Sequence, residues 1–315
     1  MNFNQLKYLI ELRRHKSFSA AAAAVNISQP ALSIQIQKLE EEYEFTLIDR
    51  TKHPLALTTE GELFYEKALE IVQLAEDLEQ LGLNFEGQLE GKLRVGIIPT
   101  LSPYLVPLFM NELTRTYPSI KVDILELKTE DILSRLKYNE LDLGIISTPV
   151  KTTNIGFVPL FYEQFYLYVS KDHLLFEKDS VILDGINETE LHYLHEGNCF
   201  QNQVNSVCRI PDYSESDAPF RYLSNSIESL KRIVENQGGL TFIPELATSN
   251  IPAEYETMIK EIESPTPMRE ISACYLKTTG YKKMAQVFVE VLLQNIPARM
   301  KQKPSQPPLA TNIRS

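Results

Sequence analysis

Residues 26–44 read NISQPALSIQIQKLEEEYE, a stretch that carries the signals of a helix start. Ser28 is a residue type that caps helix amino termini, and Pro30 lies in the first turn, where a missing N–H costs nothing. Apolar side chains then recur at helical spacing and face inward, at Leu32, Ile36 and Leu39. The preceding block of alanines, 20–24, allows a close approach between helices. The stretch therefore predicts a helix, a short turn and a second helix.

The outward face of the second helix carries amides, a hydroxyl and one cation: Gln29, Ser33, Gln35, Gln37 and Lys38. Short amides and hydroxyls hydrogen-bond base edges in a DNA groove, and the amino terminus of a helix favours phosphate. The alternative interpretation is an ordinary solvated polar face. The residues that follow this helix favour DNA binding.

A small basic wing follows the second helix. Residues 46–57, TLIDRTKHPLAL, read as a short strand, a turn with Arg50, Lys52 and His53, and a return strand at 55–57. Such a hairpin places its cations beside a bound duplex.

A long helix comes next, capped by Thr58 or Thr59 and extending to about residue 83. Its apolar stripe has no neighbouring domain to cover it and consists of Leu63, Ala68, Ile71, Val72, Leu74, Ala75, Leu78 and Leu81. The stripe predicts a homodimer formed through this helix.

Composition and charge are compatible with a DNA-binding module on an acidic body. At 315 residues and 43% hydrophobic content, the chain is long enough for two or three globular domains. The net charge of −11 argues against a nucleic-acid binder, but residues 1–58 carry seven Lys/Arg against six acids, a balance of +1 that leaves −12 for the rest. The first residues match neither a signal peptide nor a membrane span, so we expect a cytoplasmic protein with reduced thiols and no membrane partner.

The segment FSAAAAAVNISQPALSIQIQKLEEEYEFTLIDRT (18–51), with LTTEG (57–61) after it, resembles the winged helix-turn-helix of LysR-type transcriptional regulators. The resemblance implies double-stranded operator DNA as the partner. By position it assigns to DNA binding Ser28, Gln29, Pro30, Ser33, Gln35, Lys38, Arg50 and Lys52. One departure is Gln37, where many members of the family have an arginine, and this change should weaken phosphate contacts or shift the half-site preference.

The acidic remainder of the chain alternates predicted strands and helices. LRVGII (93–98), KVDILEL (121–127) and LDLGIIS (141–147) read as buried strands separated by helices, which predicts a parallel α/β sheet. FYLYVSKD (165–172) opens a second α/β unit, and ISACYLK (271–277) reads as a strand that returns to the first. Two lobes with two crossings resemble the periplasmic-binding-protein-like effector domain of LysR-type regulators, whose ligands lie between the lobes.

We therefore expect an α/β protein with four parts along the chain. They are a winged helix-turn-helix DNA-binding domain at 1–58, a linker and dimerisation helix with its hinge at 59–90, a two-lobed effector domain at 91–300 and a tail at 301–315. The hinge is expected in GQLEGKL (87–93), which contains two glycines. The tail, KQKPSQPPLATNIRS, is rich in proline and polar residues, and its composition predicts disorder.

Two of the three cysteines lie nine positions apart in HEGNCFQNQVNSVC (195–208). This spacing is not CxxC and does not indicate a zinc knuckle or a thioredoxin-like motif. If residues 200–208 form a helix, the Cα atoms of Cys199 and Cys208 lie about 13.5 Å apart, whereas a disulfide tolerates at most about 6.8 Å. Joining the sulfurs would require local unwinding, so oxidation would change the conformation.

Under this interpretation Cys199, at the amino terminus of the helix, is the reactive thiol and Cys208 is the resolving thiol. The alternative interpretation is that both cysteines are small buried hydrophobes, like Cys274.

The same segment resembles the sensing segment of OxyR-type regulators, the peroxide-responsive branch of the LysR family, and GIIPTLSPYLVP (96–107) also fits that branch. The resemblance implies that Cys199 is the peroxidatic residue and Cys208 the resolving one. It further assigns to the peroxide pocket Thr100, Thr129, Asn198, Ser226 and Arg269. Asn198 departs from the histidine often found before the first cysteine, and Gln201 and Asn202 replace a more charged pair, which affects the expected rate and sensitivity.

The family resemblance also implies a set of partners. They are a second copy through the long helix, a homotetramer of such dimers, RNA polymerase, and a thiol reductant such as glutaredoxin or thioredoxin. No cofactor and no enzymatic turnover are expected.

Two rival functions remain open from the sequence. A LysR-type regulator could bind a metabolite between its lobes, with a small anion held by Pro99, Thr100, Ser102 and Thr129 and with the cysteines incidental. A thiol peroxidase could use the same cysteine pair, although the winged module argues against it. Metal chemistry finds little support, because His192 and His195, three positions apart, have no cysteine ligands at zinc-site spacing.

Overall fold

The computed structural model describes residues 1–84, 89–183, 186, 190–194, 199–208, 224, 226–249, 251–263, 266–278 and 283–311, without the side chains of residues 73, 76, 77, 79–84, 199, 207 and 208. The chain divides into two compact units, Met1–Gln88 and Leu89–Ser315.

The first unit combines helices with a small hairpin: α1 (Phe3–His15), α2 (Phe18–Ala24), α3 (Gln29–Tyr43), β1 (Ile48–Asp49), β2 (Ala56–Leu57) and α4 (Thr59–Asn84). Side-chain caps begin the first three helices, with Asn2 on α1, Ser17 on α2 and Ser28 on α3. The core beneath them has no exposed surface at Leu9, Leu12, Leu32, Ile36 and Leu39. The predicted helix, turn and second helix are confirmed.

The predicted wing is an antiparallel hairpin in which Ile48 of β1 pairs with Leu57 of β2. Glu40 on α3 holds the first strand, because one of its carboxylate oxygens accepts from the amides of Leu47 at 2.8 Å and Ile48 at 3.1 Å. Gly61 is required near the start of α4, since a Cβ there would lie 2.2 Å from the Leu47 carbonyl oxygen. The wing is thus fixed to both flanking helices.

The long helix α4 begins at a side-chain cap, where the Thr58 hydroxyl accepts from the Gly61 amide at 2.9 Å. The predicted stripe divides between two sides of this helix. Ala68 and Val72 are buried within the unit, whereas other members are exposed, namely Leu63 at 64%, Leu74 at 64% and Leu78 at 70%. Along the described part of the chain, no helix is long and apolar enough to cross a membrane.

The second unit contains a mixed sheet with helices on it: β3 (Gly91–Ile97), α5 (Ser102–Thr116), β4 (Ile120–Glu126), α6 (Thr129–Lys137), β5 (Leu143–Thr148), β6 (Ile155–Val169), β7 (Ser180–Val181), α7 (Cys199–Cys208), α8 (Ile227–Gln237), β8 (Leu240–Pro244), β9 (Ile259–Ile262), β10 (Met268–Leu276) and α9 (Lys283–Gln294). The strand order is β4-β3-β5-β10-β6-β9-β7, and β8 also pairs with β6. Since β3 begins at Gly91, the last residues of the predicted hinge segment belong to a strand, and residues 87–88 of that segment lie outside the described residues.

Strands β3, β4 and β5 are parallel, as predicted. Strand β10 runs antiparallel to both β5 and β6, and β8 runs antiparallel to β6. The sheet as a whole is therefore mixed, because the parallel arrangement predicted for the first three strands does not extend to β6, β8 and β10. A helical crossover between two neighbouring strands makes them parallel, so the alternation of strands and helices predicts the direction only of strands joined in this way. Among the described residues, no helical crossover leads into β6 or β10.

Strand β6 crosses from one lobe to the other. Nine of its first ten residues, from Ile155 to Gln164, pair with β10, and its last five pair with β8. Strand β10 returns in the opposite direction, which confirms the two predicted crossings. The sequence placed the start of this strand near residue 165, because Pro159 lacks a ladder donor and masks the earlier part. The register shift between Ile271 and Ser272 lies opposite this proline.

Within the predicted disordered tail, Leu309 and Thr311 make defined contacts with the rest of the second unit. The Leu309 amide donates to the Met268 carbonyl at 2.8 Å. Thr311 is fully buried, and its hydroxyl donates to the Pro149 carbonyl at 2.5 Å. Backbone groups and a few side chains make these contacts. The amino-acid composition of the tail does not predict such specific hydrogen bonds.

Candidate functional site

The outward face of α3 is the first candidate site. Gln29, Pro30 and Lys38 are exposed on it, whereas Ser33 and Gln35 are half-buried. The Ser28 hydroxyl accepts from the Ala31 amide at 3.3 Å and so caps the helix. Exposed amide and ammonium groups at the start and on the outer face of one helix are the groups that meet base edges and phosphates.

Ile34 is a residue of this face that the sequence interpretation missed. Its side chain is 51% exposed, and it lies one turn from both Pro30 and Lys38, on the same side of α3. An apolar side chain at this place can contact the methyl group of thymine. The helical spacing could have found it, since the buried residues Leu32, Ile36 and Leu39 define the opposite side.

The two wing cations are held by neighbouring carboxylates. Arg50 donates to Glu40 at 3.2 Å, and its guanidinium lies 5.6 Å from the centre of the Phe18 ring. Lys52 lies 3.8 Å from Asp49. Both cations remain exposed, so a phosphate can approach them while the carboxylates keep them in place.

A fully buried ion pair lies where β6 and β10 cross between the lobes. Arg269 and Glu163 are opposite residues of these strands and have no exposed surface, with Arg269 Nη2 at 2.7 Å and Nε at 2.8 Å from Glu163 Oε2. Arg269 also donates to the Thr100 hydroxyl at 2.9 Å and to the Thr100 carbonyl at 3.2 Å. The extra bonds matter, because burying an unsatisfied ion costs several kcal/mol. Two of the predicted pocket residues, Thr100 and Arg269, are therefore in direct contact.

Thr129 follows the end of β4 as Thr100 follows the end of β3. The two strands are parallel and pair Ile97 with Glu126, and each threonine follows three residues later. Both therefore leave the sheet at its carboxyl edge, where open α/β sheets bind ligands. Thr129 is 2% exposed, and its hydroxyl has no hydrogen-bond partner among the described residues. A buried hydroxyl without a protein partner is suited to a small polar ligand.

The helix predicted between the two cysteines is present as α7, which begins at Cys199 and ends at Cys208. Over nine residue steps, an α-helix separates its terminal Cα atoms by about 13.5 Å. The backbone of both cysteines is described, but their side chains lie outside the described part, as does the whole of Asn198. Phe200, the next residue, is 1% exposed and stacks on Phe165 with 4.7 Å between ring centres.

Helix α7 contacts the buried ion pair directly. The Arg269 guanidinium lies 5.2 Å from the centre of the Phe200 ring, a cation–π contact inside the protein. Because Phe200 directly follows Cys199, the start of α7 packs against the same arginine that binds Thr100. The crossing strands, Thr100 beyond the end of β3 and the start of α7 form one contiguous site.

Ser226, a further predicted pocket residue, caps α8, and its hydroxyl accepts from the Ser229 amide at 3.3 Å. The neighbouring Glu228 accepts from the Tyr104 hydroxyl at 2.8 Å, which joins α8 to α5. Burial, together with this carboxylate, raises the pKa of Tyr104 well above its usual range. Ser226 therefore lies beside an interlobe contact, and the hydrogen bond described for its hydroxyl belongs to the cap.

Cys274 is the described example of an inert cysteine. It is fully buried on β10, where its Sγ would lie 2.6 Å from a Cβ built on Gly144. Burial raises the pKa of its thiol far above the usual range, so the reactive thiolate is absent at neutral pH. This agrees with the interpretation of Cys274 as a small buried hydrophobe.

Metal binding finds no support in the described residues, in which no group of three or more histidine, cysteine or acidic side chains is arranged around a possible ion. His192 is engaged by the backbone, with Nε2 at 3.0 Å from the Gly238 carbonyl. His195, its predicted neighbour, lies outside the described residues.

Comparison with known proteins gives two family matches. The model for the LysR substrate binding domain matches residues 86–297, and that for the bacterial regulatory helix-turn-helix protein, lysR family, matches residues 3–62. A hydrogen peroxide-inducible genes activator of Haemophilus influenzae is 32% identical over 275 residues, which cover 87% of this chain and 90% of that protein.

Two solved structures resemble the whole chain. A full-length OxyR variant from Pseudomonas aeruginosa gives a TM-score of 0.77 at 28% identity, covering 94% of this chain and 97% of that one. An OxyR variant of Corynebacterium glutamicum with bound H2O2 gives a TM-score of 0.58 at 25% identity, covering 93% and 92%.

Proposed function

This chain belongs to the LysR family of bacterial transcriptional regulators, in its OxyR-like branch, and from that premise we propose that it is a DNA-binding regulator that senses hydrogen peroxide. The sensing reaction is a reversible disulfide between Cys199 and Cys208. One observation supports the proposal: Cys199 and Cys208 are the first and last residues of α7, and the backbone of an intact helix holds them too far apart for a direct bond. Oxidation must therefore change the structure of this segment.

The chemistry is a two-electron oxidation of the dithiol by peroxide. The Cys199 thiolate attacks one peroxide oxygen, the O–O bond breaks, and the departing oxygen takes a proton and leaves as water. The Cys199 sulfenic acid is then attacked by the Cys208 thiolate, which forms the S–S bond and releases the second oxygen as water. A dithiol reductant such as glutaredoxin or thioredoxin returns two electrons and restores both thiols.

The pocket residues supply hydrogen bonds to the peroxide. The Thr129 hydroxyl is buried and lacks a partner among the described residues, so it is available to the ligand. The Thr100 hydroxyl accepts from Arg269 and can donate its own proton. Arg269, Thr100 and Thr129 support a peroxide site beside the amino terminus of α7, where the helix dipole favours the Cys199 thiolate. Asn198 and Ser226 belong to this proposal as flanking residues.

The DNA-binding part of the proposal rests on the first unit. The α3 face enters the major groove of operator DNA, and Arg50 and Lys52 of the wing contact phosphates. Exposed apolar residues on α4, namely Leu63, Ile71, Leu74 and Leu78, form the homodimer contact. We assign the DNA-binding domain to 1–58, the linker and dimerisation helix to 59–90 and the effector domain to 91–300, with a tetramer of such dimers and RNA polymerase as the further partners.

The test combines mass spectrometry with DNA footprinting after brief exposure to stoichiometric peroxide. We expect a Cys199–Cys208 cross-link together with an altered footprint. The variant Cys199→Ser with Cys208→Ser should lose both, while the matched control Cys274→Ala should behave as the parent because that thiol is buried and unreactive.

Two outcomes separate the rivals. A cross-link without any change in DNA binding would favour a regulator that reads a metabolite in the interlobe cleft. Rapid multiple turnover of peroxide in the presence of thioredoxin would favour a thiol peroxidase.

A further inference from the structure

The side-chain amide of Gln203, in the middle of α7, binds two other segments of the unit. Gln203 has no exposed surface, and its side-chain nitrogen donates to the Ser147 hydroxyl at 3.2 Å and to the Leu309 carbonyl at 3.0 Å. Ser147 belongs to β5, and Leu309 lies near the carboxyl end of the chain. One primary amide, with two N–H donors, thus joins α7 to two separate segments.

A second amide of α7 holds the same carboxy-terminal segment. The Asn202 side chain donates to the Thr311 carbonyl at 3.1 Å. We call residues 309–311 the carboxy-terminal strap. Thr311 is fully buried, and its hydroxyl bonds to the Pro149 carbonyl beyond β5.

The strap is also anchored beside the pocket. The Leu309 amide donates to the carbonyl of Met268, the residue before Arg269, at 2.8 Å. The strap is therefore bound to β10 and to Pro149, which follows β5. Two side chains of α7, Asn202 and Gln203, donate to carbonyl groups of the strap. None of these contacts involves a cysteine.

These contacts oppose disulfide closure. Asn202 and Gln203 lie inside the stretch whose ends must approach from about 13.5 Å to at most about 6.8 Å. No intact helix of ten residues allows that approach, so the backbone at these positions must leave its helical path. When it does, the amides move away from the strap carbonyls and the bonds break.

We propose that the carboxy-terminal strap is a latch on the sensing helix and that Gln203 is its principal positioning residue. The proposal rests on the proposed function, because it assigns a role within peroxide sensing. The strap slows the second chemical step, in which Cys208 reaches the Cys199 sulfenic acid, and leaves the first step unchanged. The latch thereby determines how much peroxide is needed to convert the regulator from its reduced form to its disulfide form.

The test compares two truncations of the full-length protein. Removal of residues 309–315 deletes the strap, whereas removal of residues 312–315 is the matched control that retains it. Disulfide formation is followed by rapid quenching, alkylation and mass spectrometry. Sulfenic acid formation at Cys199 is measured separately with a dimedone-type trap in a Cys208→Ser background.

We expect the longer truncation to close the disulfide about tenfold faster than the control, which corresponds to the loss of about two net hydrogen bonds. The rate of sulfenic acid formation should be unchanged. Thr311→Val, which keeps the side-chain shape and removes only the bond to Pro149, should accelerate closure in the same direction by a smaller factor.

Three results would overturn the latch. Equal closure rates in the two truncations, with the parent still forming its disulfide, would refute the latch and leave the proposed function intact. Equal acceleration of both chemical steps would mean that the strap supports the pocket and does not restrain α7. Absence of any Cys199–Cys208 disulfide in every variant would refute the proposed function and the latch together.

Discussion

The helices α3 and α7 both carry several amide side chains, but they use them in opposite ways. On α3, Gln29 is exposed, and the Gln37 side chain donates to Glu41 on the same helix at 2.9 Å. On α7, Gln203 is fully buried and bonds to two other segments. A helix that binds DNA presents its polar groups to solvent and needs no rearrangement. Helix α7, which in our proposal unwinds to react, has its polar groups in internal contacts, and under that proposal these contacts determine how readily it unwinds.

The largest expected effect is on folding stability, when one charge of an ion pair is removed in each of the two units. Replacing Arg269 by Met leaves Glu163 as an uncompensated buried carboxylate, and we expect a loss of about 3–5 kcal/mol in the free energy of unfolding. Replacing Arg50 by Met removes an exposed pair with Glu40 and should cost no more than about 1 kcal/mol. Denaturant unfolding of the full-length variants measures both, and similar losses would contradict the distinction between the two regions.

An intermediate effect separates DNA affinity from redox behaviour. Gln29→Ala on α3 should weaken binding to an operator selected from random duplexes by about 1–3 kcal/mol, if its amide reads a base edge. Gln203→Ala on α7 should leave the affinity of the reduced protein unchanged, because its contacts are internal. Fluorescence anisotropy at one fixed salt concentration provides the measurement. A reduced Gln203→Ala protein that binds DNA as weakly as Gln29→Ala would show that the two helices are not independent.

The smallest effect concerns Ile34 on the outward face of α3. If its side chain contacts a thymine methyl, replacing the contacted thymine by uracil should weaken binding by about 0.8 kcal/mol, roughly fourfold, since one methyl contact is lost. Ile34→Ala should be insensitive to the same replacement. A scan of single thymine-to-uracil substitutions across the selected operator provides the measurement. Equal sensitivity of the parent and the variant at every position would exclude this contact.

Helices α3 and α7 also show which features of the structure can be predicted from the sequence. Helix α3 was predictable because Ser28, Pro30 and the buried positions are all local signals, and the motif around them is specific. A helix at α7 was a supposition that the sequence permits, and the structure contains it. The partners of α7 were not predictable, because Leu309 and Thr311 lie 106 and 109 residues away from the amides that bind them.

Long-range pairing limits the prediction of the pocket in a similar way. Thr100, Thr129 and Arg269 were assigned by resemblance, and nothing in their local sequence indicates that Arg269 lies opposite Glu163 on a neighbouring strand. That pairing depends on β6 crossing between the lobes, and Pro159 concealed the first part of this strand. The buried Thr129 hydroxyl, which has no hydrogen-bond partner in the part of the chain that the structure describes, likewise cannot be recognised from the local sequence.

The most direct test of the account is the distance between the Cα atoms of Cys199 and Cys208 in crystal structures of the reduced and the oxidised protein. We predict about 13.5 Å in the reduced form and no more than about 6.8 Å in the oxidised form, with α7 unwound around Asn202 and Gln203. An oxidised, peroxide-responsive protein in which α7 superimposes on its reduced form from Cys199 to Cys208 would contradict the account.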